Sequence, residues 1–322
     1  MKRTCVELLA CNECQGPVSV AEVRHETETE IREGVLCCVS CGKQFPVSGG
    51  ICDFLIENST ISKELAAHKE VILERERPPE IFGEEWVGSL PFPKSMGSPQ
   101  LDLALEGERD SFFKCLPILL AGGRRILDVG VGTGWTSAIL AERGFEVIAI
   151  DVDSRKFTGL ATADIFIEHR KVYFERIRTA MERLPFRDGV FDWVHTVGAL
   201  HHTCDLKKAL REFSRVLCEG GSVLCAAEPM DGFLRPGPHS EDRAKGFNEN
   251  SFTYREYKRG LRECGLKPTF ILFQDLLYKR VGRYFGPYRN MKGPLVQWVN
   301  WLLLRTIGLP GVAILARKSG SP

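Results

Sequence analysis

Apolar and polar positions follow two different rhythms along this chain, and the change of rhythm divides it. From residue 18 to residue 35 the period is two: Val18, Val20, Val23, Ile31 and Val35 stand among charged residues, which predicts a half-buried β-hairpin. From residue 126 onward, short and mostly apolar runs at 126–129, 145–150, 222–227, 267–273 and 311–317 are separated by other segments, several of helical spacing. Strands that alternate with helices predict an α/β domain. Residues 110–120 and 252–264 read as helices, the first packing on the sheet edge. Between hairpin and α/β domain, residues 62–76 are charged and helical in spacing, with Leu65, Val71 and Leu73 as a sparse apolar face. A proline-rich loop follows at 90–99. Trp86 and Phe92 either close over a ligand or pin this linker to the core.

The chemistry concentrates where the first α/β strand ends. Residues 126–134 read ILDVGVGTG, and a second strand ends on Asp151. Glycines at 130, 132 and 134 let the backbone approach a ligand and point N–H groups at it. A dinucleotide fingerprint spaces its glycines G-x-G-x-x-G to seat a pyrophosphate at the helix N-terminus. Here the spacing is G-x-G-x-G, and Asp128 directly precedes the turn. A carboxylate there repels a pyrophosphate but suits a ligand carrying an ammonium and a sulfonium, which describes S-adenosylmethionine. In this reading Asp128 faces the amine, directly or through water, and the loop N–H groups bind the methionine carboxylate. Asp151 accepts both ribose hydroxyls, because an ionised carboxylate offers several acceptor sites to a vicinal diol.

This stretch resembles the first motif of the class I S-adenosylmethionine-dependent methyltransferases, of the type 11-like group, and the similarity continues downstream. ERLPFRDGVFDWVH at 182–195 is similar to the family's loop after strand three and its fourth strand. GALHHTCD at 198–205 matches the turn at that strand's end, and LREFSRVLCEGG at 210–221 the helix and turn leading into strand five. The resemblance implies an α/β, doubly wound, Rossmann-like seven-stranded sheet. It also implies a cofactor pocket of Asp128, Gly130, Gly132, Gly134, Asp151, Met181, Glu182 and Val197. Family members often carry an acid just after strand three for the adenine amine. That position is Ala180 here, which leaves Glu182, or backbone alone, to meet the amine. His201 and His202 stand at the strand-four turn, adjacent to where the methyl group projects, and histidine suits a general base. The same Leu-His-His triplet also recurs in the family as turn architecture. No Asn/Asp-Pro-Pro-Tyr/Phe motif follows strand four, which argues against methylation at the amino nitrogens of bases or of glutamine. Cys204, the nearest thiol, reads as packing.

Two C-x-x-C pairs, Cys11 with Cys14 and Cys38 with Cys41, flank the predicted hairpin. Zinc takes four soft ligands in a tetrahedron, and each such turn supplies two thiolates. Cys37 adjoins the second pair, but only Cys38 keeps the two-residue gap. The unit, residues 6–56, resembles the small zinc-ribbon family that includes the activator subunit of several methyltransferases, here fused in cis. All four ligands are supplied by the chain, so the zinc is expected to be structural. Chelation is expected to unfold the ribbon and leave the α/β core folded. Ribosomal RNA guanine methyltransferases also place a zinc unit before a class I domain. Their second turn typically uses a histidine, however, and Glu22, Glu26, Glu28, Glu30 and Glu33 in this hairpin oppose a phosphate backbone.

Composition narrows the picture. Lys and Arg total 43 against 42 Asp and Glu, a net charge of +1, so there is no global field to concentrate nucleic acid. Twelve cysteines in a chain of 322 residues with no apolar export stretch read as reduced thiols and metal ligands, with a cytoplasmic location. No apolar run is long enough to span a bilayer. Residues 228–239 read as a loop over the strand ends. Residues 275–309 form an unexpected insertion before the last strand: a basic, aromatic block around Tyr278, Arg283 and Arg289, then an apolar helix with Trp298 and Trp301. That helix suits lipid headgroups, a lid over a bulky apolar acceptor, or burial against the core or a second copy. The predicted organisation is a zinc ribbon at 1–57, a linker and cap at 58–107, and a methyltransferase domain at 108–322. The expected activity is methyl transfer to a small or lipid-like acceptor, at oxygen or carbon, with peripheral membrane contact through 275–309. Nucleic acid is not the expected partner; an RNA methyltransferase and a non-catalytic scaffold are the alternatives.

Overall fold

The structure, a computed structural model, describes residues 1–56, 58, 60–63, 65–66, 83–94, 99–232, 250, 252–273, 294–306 and 308–319. Four short strands come first: β1 (Val18–Glu26), β2 (Ile31–Cys38), β3 (Gln44–Ser48) and β4 (Ile51–Asp53). The second part supplies β5 (Arg125–Val129), β6 (Glu146–Asp151), β7 (Glu175–Arg178), β8 (Phe191–Val197), β9 (Leu217–Asp231), β10 (Leu266–Ile271) and β11 (Gly308–Lys318). All belong to one sheet, in the order β1-β2-β3-β4-β7-β6-β5-β8-β9-β11-β10.

The seven strands expected from the sequence are the run β7-β6-β5-β8-β9-β11-β10. The sheet has eleven strands rather than seven because β4 lies parallel along the outer edge of β7, with Ile51 opposite Arg176 and Cys52 opposite Ile177. An uncovered edge of β7 would leave backbone N–H and C=O groups unpaired, and the N-terminal unit supplies their partners. Strand order reverses between β5 and β8, so a crevice opens beyond the C-terminal ends of these two strands, where open α/β sheets bind ligands.

Helices cover both faces: α1 (Arg3–Val6), α2 (Glu84–Ser89), α3 (Pro99–Leu120), α4 (Trp135–Glu142), α5 (Ala163–Arg170), α6 (Leu206–Val216), α7 (Tyr254–Glu263) and α8 (Pro294–Thr306). Helix α6 starts where the Asp205 carboxylate accepts the N–H of Lys208, and it buries Ala209, Leu210, Phe213 and Val216, one helical face. Helix α7 starts with a reciprocal Thr253–Glu256 capping box and buries Tyr257 and Leu261. One core holds Leu127, Ile177, Phe213 and Tyr257 together with Leu9, Phe45 and Phe54 of the N-terminal unit. On the other face Phe112, Ile139, Phe166 and Trp193 form a second core.

A buried charge network also crosses the junction between the two parts. The Arg176 guanidinium, 0% exposed, donates to Glu30 at 3.0 Å and to Asp164 at 2.6 Å. Glu30 additionally accepts from the Met1 ammonium at 2.7 Å, from Arg32 at 2.8 Å and from the Tyr173 hydroxyl at 3.0 Å. Burial opposes the charge on Glu30, but Arg176, the ammonium and Arg32 hold its carboxyl at about 2.

The expected 228–239 loop begins later than its composition suggests, because β9 runs through Glu228 to Asp231. Beyond Ala226 the pairing with β8 ends while that with β11 continues, which leaves an edge where Pro229 can sit before Asp231 bridges to Thr253. Residues 233–239 lie outside the described residues, as do the basic block around Tyr278, Arg283 and Arg289 and linker residues 59, 64, 67–82 and 95–98, Val71 and Leu73 among them. Trp86 is buried, whereas Phe92 is 63% exposed and stacks on Phe113. Helix α8 is partly buried: Leu304 and Asn300 are buried, while Trp298 and Leu302 are exposed. No helix among the described residues is long and apolar enough to cross a membrane.

Candidate active site

The crevice is floored by the turn between β5 and α4. Gly130 has a φ of +67°, and a Cβ there would stand 2.5 Å from the Cβ of Ala199, so only glycine lets the β5 and β8 ends approach this closely. Gly134, with a φ of +85°, is the N-cap of α4. Gly132 donates its N–H to Asp151 Oδ2 at 2.8 Å, and Asp153 donates its own to Oδ1 at 2.8 Å. The half-buried Asp151 is thereby held at the lip of the loop. Burial raises its carboxyl to about 6, against the lowering effect of those two N–H groups.

Asp128 is almost wholly buried. Its Oδ2 accepts the hydroxyls of Thr136 at 2.7 Å and Ser137 at 2.6 Å, and Oδ1 faces Nδ1 of His195 at 2.7 Å. The carboxylate thus ties the first turn of α4 to β8 beneath the glycine loop. His195, 0% exposed and edge-on to Phe112, was not apparent as a site residue from the sequence.

A second buried carboxylate lies on β9 just beyond the end of its pairing with β8. Glu228 accepts the N–H groups of Ala199 at 3.1 Å and Leu200 at 2.9 Å, and its Oε2 faces Nδ1 of His201 at 3.2 Å. The hydroxyls of Thr196 and Tyr257 also point at it, at 3.3 and 3.4 Å. Burial works against its charge, yet His201 and the Leu200 N–H outweigh that and hold the carboxyl below its ordinary range. The preceding residue, Ala227, has a φ of +58°, a left-handed conformation that turns Glu228 inward. The sequence carried one signal for Glu228, an acid at a strand end, the same signal that singled out Asp151.

The remaining sequence-predicted residues surround this centre. The His202 ring lies against that of His201 at a tilt of 35°, with ring centroids 4.2 Å apart. Glu182 Oε1 accepts the Thr203 hydroxyl and, at 2.6 Å, the N–H of Cys204, so it fastens the loop after β7 to the histidine turn. Met181 and Val197 are half-buried and pack against opposite cores.

Comparison with known proteins agrees with this fold. Residues 127–225 match the methyltransferase domain family, and residues 2–50 match the Trm112p-like protein family. The chain carries a class I methyltransferase domain joined to a Trm112p-like unit. Sarcosine/dimethylglycine N-methyltransferase of Halorhodospira halochloris is 30% identical over 174 residues, 51% of this chain and 58% of that protein. Demethylmenaquinone methyltransferase of Beutenbergia cavernae is 28% identical over 183 residues, 54% of this chain and 71% of that protein. Phosphoethanolamine N-methyltransferase 2 of Haemonchus contortus, solved with S-adenosyl-L-methionine, shares the fold. Its TM-score is 0.50 at 16% identity, over 86% of this chain and 62% of that one. The match to the methyltransferase domain ends at Cys225, three residues before Glu228.

In the Trm112p-like unit the four cysteines converge. The Sγ atoms of Cys11, Cys14, Cys38 and Cys41 all lie within 4.8 Å of one another, with Cys11–Cys41 at 3.7 Å and Cys14–Cys38 at 3.5 Å. A zinc–sulfur bond of about 2.3 Å gives tetrahedral edges of about 3.8 Å, so the donor set fits zinc in size and softness. The Cys37 thiol instead points at the carbonyl of Cys38.

Proposed function

We propose that this chain transfers a methyl group from S-adenosylmethionine to a small or lipid-like acceptor, at oxygen or carbon. The observation that carries this reading is the Gly132–Asp151 contact between the loop after β5 and the end of β6, beside the switch point of the sheet. A loop amide and the acid of the next strand meet there, where an adenosine ribose needs a vicinal-diol acceptor. Asp151 would hold the ribose, and the turn of Gly130, Gly132 and Gly134 would approach the methionine part. Asp128 would act at the amine end from beneath, through the hydroxyl-lined first turn of α4. The cofactor, when bound, supplies an activated methyl on its sulfonium.

Such a transfer is an in-line displacement, so alignment and exclusion of water are the main tasks of the protein. A hydroxyl acceptor must also lose its proton. Glu228 fixes one ring nitrogen of His201; with Nδ1–H donated to that carboxylate, Nε2 becomes the proton-accepting atom. His201 is therefore a base candidate whose ring the protein orients, with the His202 ring tilted beside it. Zinc held by Cys11, Cys14, Cys38 and Cys41 would be structural, leaving no position for substrate.

The test is calorimetric titration of zinc-assayed protein with S-adenosylmethionine and S-adenosylhomocysteine, followed by a methyl-acceptance screen of lipid and small-molecule extracts. Micromolar binding supports the reading. Folded, zinc-loaded protein that binds neither ligand would leave the scaffold alternative. An RNA acceptor is the second reading, favoured by the Trm112p-like match and by a relative, tRNA U34 carboxymethyltransferase of Alcanivorax borkumensis, 33% identical over 111 residues. That relative matches only 34% of this chain and 34% of its own length, which keeps RNA second. RNA-dependent methyl transfer that falls steeply with salt would reverse the order.

A further inference from the structure

Helix α7 has two faces of opposite character. Its inner face, Tyr257 and Leu261, is buried and reaches the Glu228 cluster. Outward it carries Arg255, Lys258, Arg259 and Arg262, at spacing i, i+3, i+4 and i+7, which makes one stripe of four cations. Arg305 of α8 joins the same open cleft, about 530 Å3 in volume, whose one carboxylate is Glu263. Glu263 is already paired with Lys207 at 2.6 Å. Among the described residues, no carboxylate oxygen lies within 4.0 Å of Arg255, Arg259 or Arg262, although Arg259 is near enough to Glu263 to help lower its carboxyl. Tyr254 lies between the two helices: Lys258 Nζ is 5.4 Å and the Arg305 guanidinium 5.2 Å from its ring centroid.

This stripe has no evident folding role. Like charges three and four residues apart destabilise a helix, and the inner face already supplies the packing. Nor is it a share of a general basic excess, since the whole chain carries a net charge of only +1. Beside it, α8 presents an apolar edge. Trp298 is 62% and Leu302 45% exposed, and with Arg305 they follow one another at i, i+4 and i+7. Trp301, whose ring centroid is 5.7 Å from that of Tyr254, and the buried Leu304 hold α8 against the protein.

We propose that the α7–α8 face seats the protein on an anionic phospholipid surface. Arg255, Arg259, Arg262 and Arg305 would lie on lipid phosphates, and Trp298 and Leu302 would enter the headgroup layer. Guanidinium groups beside an exposed tryptophan and leucine match the charge of such a surface and its graded polarity. A nucleic acid would be met by the cations but gives an exposed leucine no apolar partner. The inference stands independently of methyl transfer, because it concerns the outer face of α7 and a contact that needs no cofactor.

The test is co-sedimentation of the full chain with vesicles of phosphatidylcholine alone and of phosphatidylcholine mixed with phosphatidylglycerol. Binding is expected only to the mixed vesicles, and it should weaken as salt is raised. Each arginine replaced is expected to lower the partition coefficient about fivefold, so Arg259→Gln with Arg262→Gln should lower it about 25-fold. Trp298→Ser should weaken it at unchanged salt dependence. Far-UV circular dichroism and thermal melting of each variant separate loss of the surface from loss of the fold. Absence of phosphatidylglycerol-dependent binding in the parent chain would overturn the proposal, as would binding that the folded double variant retains in full. Salt-sensitive binding of single-stranded homopolymer RNA that the double variant loses, with vesicles ignored, would overturn it in favour of a nucleic-acid face.

Discussion

His201 Nδ1, in the turn after β8, lies 3.2 Å from Oε2 of Glu228, a carboxylate 27 residues downstream on β9. The pair is buried, and the same carboxylate caps the N–H groups of Ala199 and Leu200, so the histidine turn and its orienting acid form one rigid piece. If His201 serves as base, Glu228→Gln is expected to lower kcat about a hundredfold while leaving the KM for the cofactor nearly unchanged. The amide can still accept from the backbone but presents an NH2 group to Nδ1. His201→Gln should give a similar loss and remove the acidic limb of the kcat profile. Full activity with an unshifted pH profile in His201→Gln would assign the turn a structural role only.

The Asp151 carboxyl titrates at about 6 because of burial, above its ordinary 3.8. Only the carboxylate can accept both hydroxyls of a diol, so affinity for S-adenosylmethionine should weaken as pH falls below about 6. Binding there should release protons, measurable by calorimetry in buffers of different ionisation enthalpy. The stability effect has the opposite sense. Between 3.8 and about 6 the folded chain holds more protons at this group than the unfolded chain, so this contribution declines as pH rises through that window. Asp151→Ala is expected to weaken cofactor binding about 10- to 100-fold, the worth of charge-assisted hydrogen bonds.

Glu30 behaves in the reverse way. Its carboxyl is depressed to about 2 from an ordinary 4.5, so its contribution is complete above 4.5 and is lost as pH falls toward 2. Glu30→Ala leaves the fully buried Arg176 without that partner, and the expected cost is about 3–5 kcal/mol. Urea unfolding of parent and variant at neutral pH, repeated near pH 3, should show the gap narrowing in acid.

Metal removal is expected to lower the melting temperature of the whole protein in one transition, as should Cys38→Ser. This differs from the outcome anticipated from the cysteine spacing, an unfolded ribbon beside an intact core. The structural reason is the shared core of Phe45, Phe54, Ile177 and Phe186, together with the β4–β7 pairing. Two separate calorimetric transitions after chelation would restore the earlier expectation.

Ala227→Gly offers a small test of backbone strain. Ala227 holds a φ of +58°, where glycine fits without steric cost, so the variant is expected to be more stable by about 1 kcal/mol with the Glu228 cluster intact.

Features that depend on one residue type in one local conformation were legible in the sequence. The turn at Gly130, Gly132 and Gly134 and the convergence of four cysteines are of this kind. Pairings between backbones distant in sequence were not. Residues 51–53 and 175–178 show no shared periodicity, and what joins them is N–H and C=O groups that every residue carries. Glu228 was obscured by its neighbours, since Pro229 and Gly232 resemble the start of a loop, whereas β9 continues through Pro229 on its open edge. Asp128 stood out as an acid, but its partners Thr136, Ser137 and His195 become visible only once α4 and β8 are placed beside it.

The strand-to-strand seam between β4 and β7 has a consequence for dosage. Two separate chains joined by such a seam would part on dilution, and their ratio would depend on the supply of each. Within one chain the seam closes at an effective concentration set by the connecting segment, on the order of millimolar for a short flexible one. One Trm112p-like unit therefore accompanies every methyltransferase domain, and a third protein competing for it must exceed that effective concentration.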